Sequence, residues 1–231
     1  MYNARWDERP AEYAAERECW LTRRRTAFVA DFLRAASAGQ RVLDVGCGVG
    51  DLLVELAAAR PELRFTGIEP QPSYVEFATE SAAKRGVENV VFQIGLADRL
   101  GSILGPSERF EWILSNDLLH HVPNQDDVLQ SVAEVTAPDG RWLCIEPNWR
   151  NPYVLIGCAV KLGERNFWPG DFLSRAKAAG WVPETRSFLF LIPPFVKRPH
   201  RFLVELEKAV EHHPLLAGGV ALTLARVRRT A

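Results

Sequence analysis

One stretch constrains this chain more than any other: an apolar run, Arg41–Val45, that meets glycines at alternate positions, Gly46, Gly48 and Gly50. A helical pattern follows from Asp51 to Ala59, with Leu52, Leu53 and Leu56 on one face and Pro61 as its stop. Glycine has no Cβ, so it accepts positive φ and lets backbone lie close to a ligand. A strand that runs through such a turn into a helix belongs to an open α/β sheet, and ligands of those sheets bind beyond the carboxyl ends of the strands.

The rest of the chain extends that pattern. Strands are expected at Phe65–Glu69, Val90–Ile94, Trp112–Ser115 and Arg141–Ile145, the last preceded by a turn at 138–140. The helix after the second strand is read as opening on a capping box, Ser73 with Glu76, and ending at Gly86. Asn124 is read as the cap of a helix carrying Val128, Leu129, Val132 and Val135. Alternation of this kind implies a mostly parallel sheet with helices on both faces. Residues 1–40 read as a helical cap, 41–146 as the ligand-binding core, and 147–231 as a substrate-side connection, a late helical insertion and the last strands, all in one domain. Residues 147–170 form a long aromatic connection, and long connections are often lids. Asp171–Ala179 and Arg201–Val210 read as helices, the second amphipathic through Phe202, Leu203, Leu206 and Val210. Trp181–Leu191 and Val220–Val227 read as late strands.

Several kinds of ligand suit a glycine turn. A dinucleotide loop wants G-x-G-x-x-G, but position 51 is Asp; a P-loop wants Gly-Lys-Ser/Thr, which is absent. Asp44 stands two residues before Gly46, and Glu69 ends the second strand, where a carboxylate can accept both hydroxyls of a ribose. That order, D-x-G-x-G, fits a loop for S-adenosylmethionine (SAM).

On these residues the chain resembles the class I SAM-dependent methyltransferases, over most of residues 7–146. Val42–Gly50 is similar to their first motif, Ile68-Glu69-Pro70 to the second, Leu114–Pro123 to the fourth-strand motif, and Pro138–Gly140 to the turn before the fifth strand. Asp7 and Tyr13, after Trp6, resemble an N-terminal signature whose Tyr reaches the methionine end of SAM. The resemblance implies a Rossmann-like seven-stranded sheet with the last strand antiparallel and inserted. It implies a cofactor site at Tyr13, Asp44, Gly46, Cys47, Gly48, Gly50, Glu69, Pro70 and Gln71, and after the third strand at Leu96, Ala97 and Asp98. The family often has Gly-Asp-Ala at that last place. Here Leu96 stands where the adenine-contacting Asp would be, so either Asp98 takes over that contact or backbone and apolar packing hold the adenine.

Asn116 and Asp117 end the fourth strand and are expected to line the cofactor site. Asp44 is expected to fix the glycine loop or the donor's amino group. His121, and after it His120, lie on the ligand edge and are candidates for a base, since imidazole titrates near neutrality. Glu146, ending the fifth strand, either orients an acceptor or caps a neighbouring loop. His200, His212 and His213 read as surface residues. No histidine spacing suggests a metal site.

Composition closes off other classes. With 231 residues, 47% of them hydrophobic, seven Trp and twelve Phe, the chain can bury a core unaided. The net charge of −1 and the absence of an Asn/Asp-Pro-Pro-Tyr/Phe motif argue against a nucleic-acid substrate. The run Arg23–Arg25 reads as a solvated helix face. No apolar run reaches the roughly 18 residues of a membrane span. No secretory leader is visible, so reduced cysteines and a cytoplasmic location are expected. The apolar segments Trp149–Trp168 and Phe188–Phe195 read either as core and homodimer packing or as a lid over an apolar or aromatic small molecule. The expected activity is methyl transfer from SAM to a small organic acceptor. The alternative is a SAM fold that uses the cofactor structurally, for a cyclisation or decarboxylation.

Overall fold

The computed structural model describes residues 9–160 and 167–227, with side chains to residue 157 in the first stretch. The strands β1 (Arg41–Val45), β2 (Arg64–Glu69), β3 (Val90–Ile94), β4 (Phe110–Asn116), β5 (Thr136–Pro147), β6 (Trp181–Leu189) and β7 (Gly219–Arg226) make one seven-stranded sheet in the order 3-2-1-4-5-7-6. β1 to β5 pair in parallel, and β7 runs antiparallel to both neighbours, β5 and β6. The expected Rossmann-like sheet with an inserted antiparallel strand is therefore what forms. The helices are α1 (Pro10–Arg17), α2 (Trp20–Phe32), α3 (Asp51–Ala59), α4 (Pro72–Lys84), α5 (Leu100–Leu104), α6 (Gln125–Val135), α7 (Pro152–Val160), α8 (Pro169–Ala178) and α9 (Arg201–Val210). The Asp7 and Trp6 signature lies outside the described residues.

Successive strand side chains point to opposite faces, so a sheet covered on both sides must be apolar at every position. Val42, Leu114, Leu143 and Ile145 pack with α2 and α3 on one face. Their neighbours Leu43, Ile113, Trp142 and Cys144 pack with α5, α6 and α8 on the other. Trp142 lies between Phe172 and Trp181, at ring distances of 5.9 and 5.4 Å, and its indole donates to Ser115 Oγ at 3.0 Å.

Three expectations are corrected, and one helix is new. α4 is capped by Gln71 with Pro72 in the first helical position, so Ser73 lies inside the helix and not at its cap; a Pro with fixed φ and no N–H is well suited to that first position. Pro138–Gly140 does not precede β5 but lies within it, as a bulge at which pairing jumps from Phe110↔Thr136 to Trp112↔Arg141 and Asp139 takes φ +63°. α5 has no counterpart in the sequence expectations; it is one short turn whose Leu100 and Leu104 fill core. The run Arg23–Arg25 is a solvated face only at Arg23: Arg25 is buried against Asp117, and Arg24 pairs with the buried Glu207 and Glu211.

The sheet order reverses between β1 and β4. The chain leaves β1 toward β2 on one side, while β4 continues on the other, so their carboxyl ends open a crevice.

Candidate functional site

The glycine turn is pinned to the end of β2. The Gly46 and Cys47 amides both donate to Ile68 O, at 2.8 and 3.1 Å, and the Gly50 amide to Cys47 O at 3.1 Å. Two of its glycines have different reasons to be glycine. Gly50 caps α3 at φ +73°, and a Cβ there would lie 2.7 Å from Ala78 Cβ and 2.8 Å from the Phe92 ring. Its requirement is packing. Gly48 has φ +57°, and a Cβ there would meet nothing nearer than the Tyr13 ring at 3.9 Å. That space belongs to a cavity of about 530 Å³ over the crevice.

Three of the acids that line the cavity are each held differently. Glu69 Oε2 accepts from the Gly48 amide at 3.0 Å and Oε1 from the Gln71 amide at 3.2 Å, so the acid ending β2 also fixes the loop. Asp44 is buried, and its Oδ1 has no hydrogen-bond partner. Burial, with Asp51 and Glu69 nearby, pushes its carboxyl up to about 7 against the opposing pull of Arg17 and Arg25. Asp117, at φ +54°, pairs with Arg25 at 2.8 Å. Burial pushes its carboxyl up, but Arg25, His120 and Arg17 together outweigh that and hold it below the usual carboxylate range.

Burying polar atoms without partners is costly. Here Asp44 Oδ1 and both amide atoms of Asn116 are buried in that condition, and both residues line the cavity. A small molecule with an ammonium and a carboxylate, as at the methionine end of SAM, offers the partners this set lacks, and the open side of Gly48 leaves room for it. The residues fit that cofactor. Tyr13 covers the loop, stacks on Tyr74 at 5.4 Å, and lies beside Arg17, which pairs with Asp51 at 3.0 Å. Cys47 is buried, and burial pushes its thiol well above the ordinary value, so it packs as a neutral group and is no nucleophile.

At the ends of β4 and β5, Glu146 is nearly inaccessible. Its Oε1 accepts from the amides of Leu118 and Leu119 at 3.0 and 2.8 Å, which is the loop-capping role. Its Oε2 lies 2.7 Å from His120 Nδ1. A carboxylate only accepts, so the hydrogen of this bond sits on His120 Nδ1. The His121 ring lies 3.9 Å from that of His120, and both rings line the cavity.

The opposite wall is apolar: Tyr153, Val154 and Gly157 of α7, then Phe190 to Pro194. Long-range side-chain bonds hold it. Asn148 Nδ2 donates to Pro214 O and Ala217 O, both at 2.7 Å, Asn151 Nδ2 to Leu216 O at 2.7 Å, and Glu207 Oε1 accepts from the amides of Leu191 and Ile192 at 3.0 Å.

Of the expected site residues, Tyr13, Asp44, Gly46, Cys47, Gly48, Glu69, Gln71, Asn116, Asp117, His120, His121 and Glu146 come together around this cavity. Gly50, Pro70, Leu96, Ala97 and Asp98 do not line it; Leu96 and Asp98 are exposed beyond β3. Sequence reasoning missed Arg17, Arg25 and Asp51, and it left the 190–194 wall as one of two alternatives. The spacing of Tyr13 with Arg17, and of Leu21 with Arg25, each four apart, was the available signal. Among the described residues no group of three or more His, Cys, Asp or Glu could hold a metal ion, and no helix is long and apolar enough to cross a membrane.

Comparison with known proteins agrees with this geometry. A family model described as a methyltransferase domain matches residues 36–166. A 27-O-demethylrifamycin SV methyltransferase of Amycolatopsis mediterranei (strain S699) is 33% identical over 207 residues, which is 83% of this chain and 72% of that protein. A ubiquinone biosynthesis O-methyltransferase of Haemophilus ducreyi is 34% identical over 103 residues, 44% of this chain and 43% of that one. Among solved structures, the [4+2]-cyclase SpnF superposes with a TM-score of 0.69 at 21% identity, covering 92% of this chain and 85% of its own, a likeness of fold.

Proposed function

This chain is a SAM-dependent methyltransferase of the class I family, and from that premise we propose that it methylates a hydroxyl group on a small, largely apolar organic molecule. The observation that carries this reading is the continuity of one cavity, from Asp44 and Gly48 at its polar end to the Phe190–Pro194 wall at its apolar end, with His120 among its lining. Pockets with mostly apolar walls and a few placed polar groups select small organic ligands. Two relatives, named a 27-O-demethylrifamycin SV methyltransferase and a ubiquinone biosynthesis O-methyltransferase, support the same class of acceptor.

When bound, SAM supplies an electrophilic methyl group on a sulfonium. The chain's task is to hold, align and keep dry. Gly46, Gly48 and Glu69 shape the loop under the cofactor. Asp44 and Asn116 offer buried polar atoms to its charged end, and Tyr13 closes over it. Alignment of two reactants in such a site contributes roughly 7–11 kcal/mol. In this reading His120, oriented by Glu146 through Nδ1, takes the proton of the acceptor hydroxyl, a role that contributes about 10²–10⁴-fold. Glu146 acts through His120 and is a positioning residue.

The test is incubation with methyl-labelled SAM and a panel of phenolic and aliphatic hydroxyl compounds, read by mass spectrometry. Labelled product with one S-adenosylhomocysteine (SAH) per turnover is expected. Product formed without SAH would move the chain to the cofactor-as-scaffold alternative. Label on nitrogen or carbon acceptors alone would overturn the hydroxyl assignment.

A further inference from the structure

α9 is attached the wrong way round for an ordinary amphipathic helix. Its Phe202, Leu203 and Leu206 are 67%, 39% and 40% exposed, while its buried residue is Glu207, followed by the buried Glu211 at its C-terminal cap. The inversion is built. Glu207 accepts from the Trp20 indole at 2.8 Å and from two amides of the cavity wall, and Arg24 pairs with both acids, at 3.3 Å and 2.7 Å. These contacts hold the apolar stripe toward solvent. Exposed apolar surface of this extent usually has a partner.

The residues leading into α9 say what kind. From Phe195, which is 71% exposed, to Leu206, the chain carries Lys197, Arg198 and Arg201 against one acid, Glu205, which pairs with Lys208 at 2.9 Å. The segment begins at the cavity: Pro193 and Pro194 line it, and Phe195 touches Tyr153 of its wall, with ring centroids 6.3 Å apart. Aromatic and aliphatic side chains on one face, basic residues beside them and modest overall hydrophobicity are the features of a helix that lies in a lipid interface. Basic residues next to such a helix are drawn to anionic headgroups. A second copy of this chain fits less well, since a two-fold contact through this face sets Arg198 and Arg201 of one copy near those of the other.

We propose that segment 195–206 docks this protein onto an anionic lipid surface, beside the mouth of the cavity, so that an apolar acceptor reaches the site from the lipid phase. The second half of that statement rests on the apolar-acceptor reading; the first does not.

The test is co-sedimentation of the full chain with vesicles of equimolar phosphatidylcholine and phosphatidylglycerol, and with phosphatidylcholine alone. Binding to the anionic vesicles, weakened by salt, is expected. Arg198→Glu with Arg201→Glu should weaken it by at least about fivefold per charge, and Phe202→Ser with Leu206→Ser should abolish it. All four sites are exposed and outside the cavity, so SAM should still raise the melting temperature of both variants. No binding by the parent chain, equal binding to neutral vesicles, or unchanged binding by either variant would overturn the proposal. So would a dimer in sedimentation velocity that Phe202→Ser with Leu206→Ser dissociates. Vesicle binding without methyl transfer to any hydroxyl compound would keep the docking surface and refute the acceptor reading instead.

Discussion

The two ends of the cavity are held by different physics. At the glycine loop, position is set by backbone: strand ends, positive φ at Gly48 and Gly50, and amides that donate to Ile68 O and Glu69. Every one of those contacts lies within one β-α-β unit. At the acceptor wall, position is set by buried side chains reaching over long separations: Asn148 to the 214–217 turn, Glu207 to the 191–192 amides, and Arg24 to Glu211 across 187 residues. A backbone-built site tolerates little change in its ligand. A wall hung on side chains can be altered by one substitution that leaves the glycine loop untouched.

That contrast can be broken in graded steps. His120→Gln removes the base proposed above, between the two ends. Turnover should fall about 10²–10⁴-fold with SAM affinity unchanged; a tenfold or smaller loss in kcat would take the base role from His120. Gly48→Val acts on the cofactor end alone. A β-branched residue is strained in the left-handed region, by about 1–2 kcal/mol or more, and its side chain fills the open side of the loop, so SAM-induced thermal stabilisation should vanish while the protein stays folded. Glu207→Gln acts on the acceptor end alone. It keeps an oxygen for the two amides but drops the charge facing Arg24, which should lower stability by about 1–2 kcal/mol. The acceptor KM should rise severalfold with kcat nearly kept, as steady-state kinetics would show.

The smallest effect is a slope with pH. The Asp44 carboxyl titrates at 3.8 when unperturbed and at about 7 in the fold. Between those values the folded state binds the extra proton. The stability tied to it is therefore full below the lower value and lost as pH rises through the upper one. Asp44→Asn should flatten that fall, melting above the parent chain on the alkaline side in the absence of SAM. In the parent chain, SAM affinity should strengthen as pH rises through about 7, because the ionised carboxylate is the better partner for an ammonium. Parallel pH profiles for parent and variant, by thermal melts, would remove Asp44 from this role.

The same contrast explains what the sequence disclosed. β1 through β4, α3 and the acids Asp44 and Glu69 were legible because strand period, glycine spacing and strand-end carboxylates are local patterns. The start of α4 was misread by two residues because Pro72 and Ser73 both signal a helix start, and Pro72 takes the first position. The arginines of α2 were misread because their compensation comes from Asp117, Glu207 and Glu211, far along the chain. α9 is the sharpest case. Its period was read correctly, to the residue, yet period says only which side chains share a face; which face turns inward was decided by two carboxylates and the amides they cap.

The most direct measurement is the SAM dissociation constant, by calorimetry, for the parent chain, Gly48→Val and Glu207→Gln side by side. The account expects binding by the parent chain, loss of at least about a hundredfold on Gly48→Val as the ligand's space is filled, and an unchanged constant for Glu207→Gln. No SAM binding by the parent chain, or equal losses in the two variants, would contradict a cofactor end built and held apart from the acceptor wall.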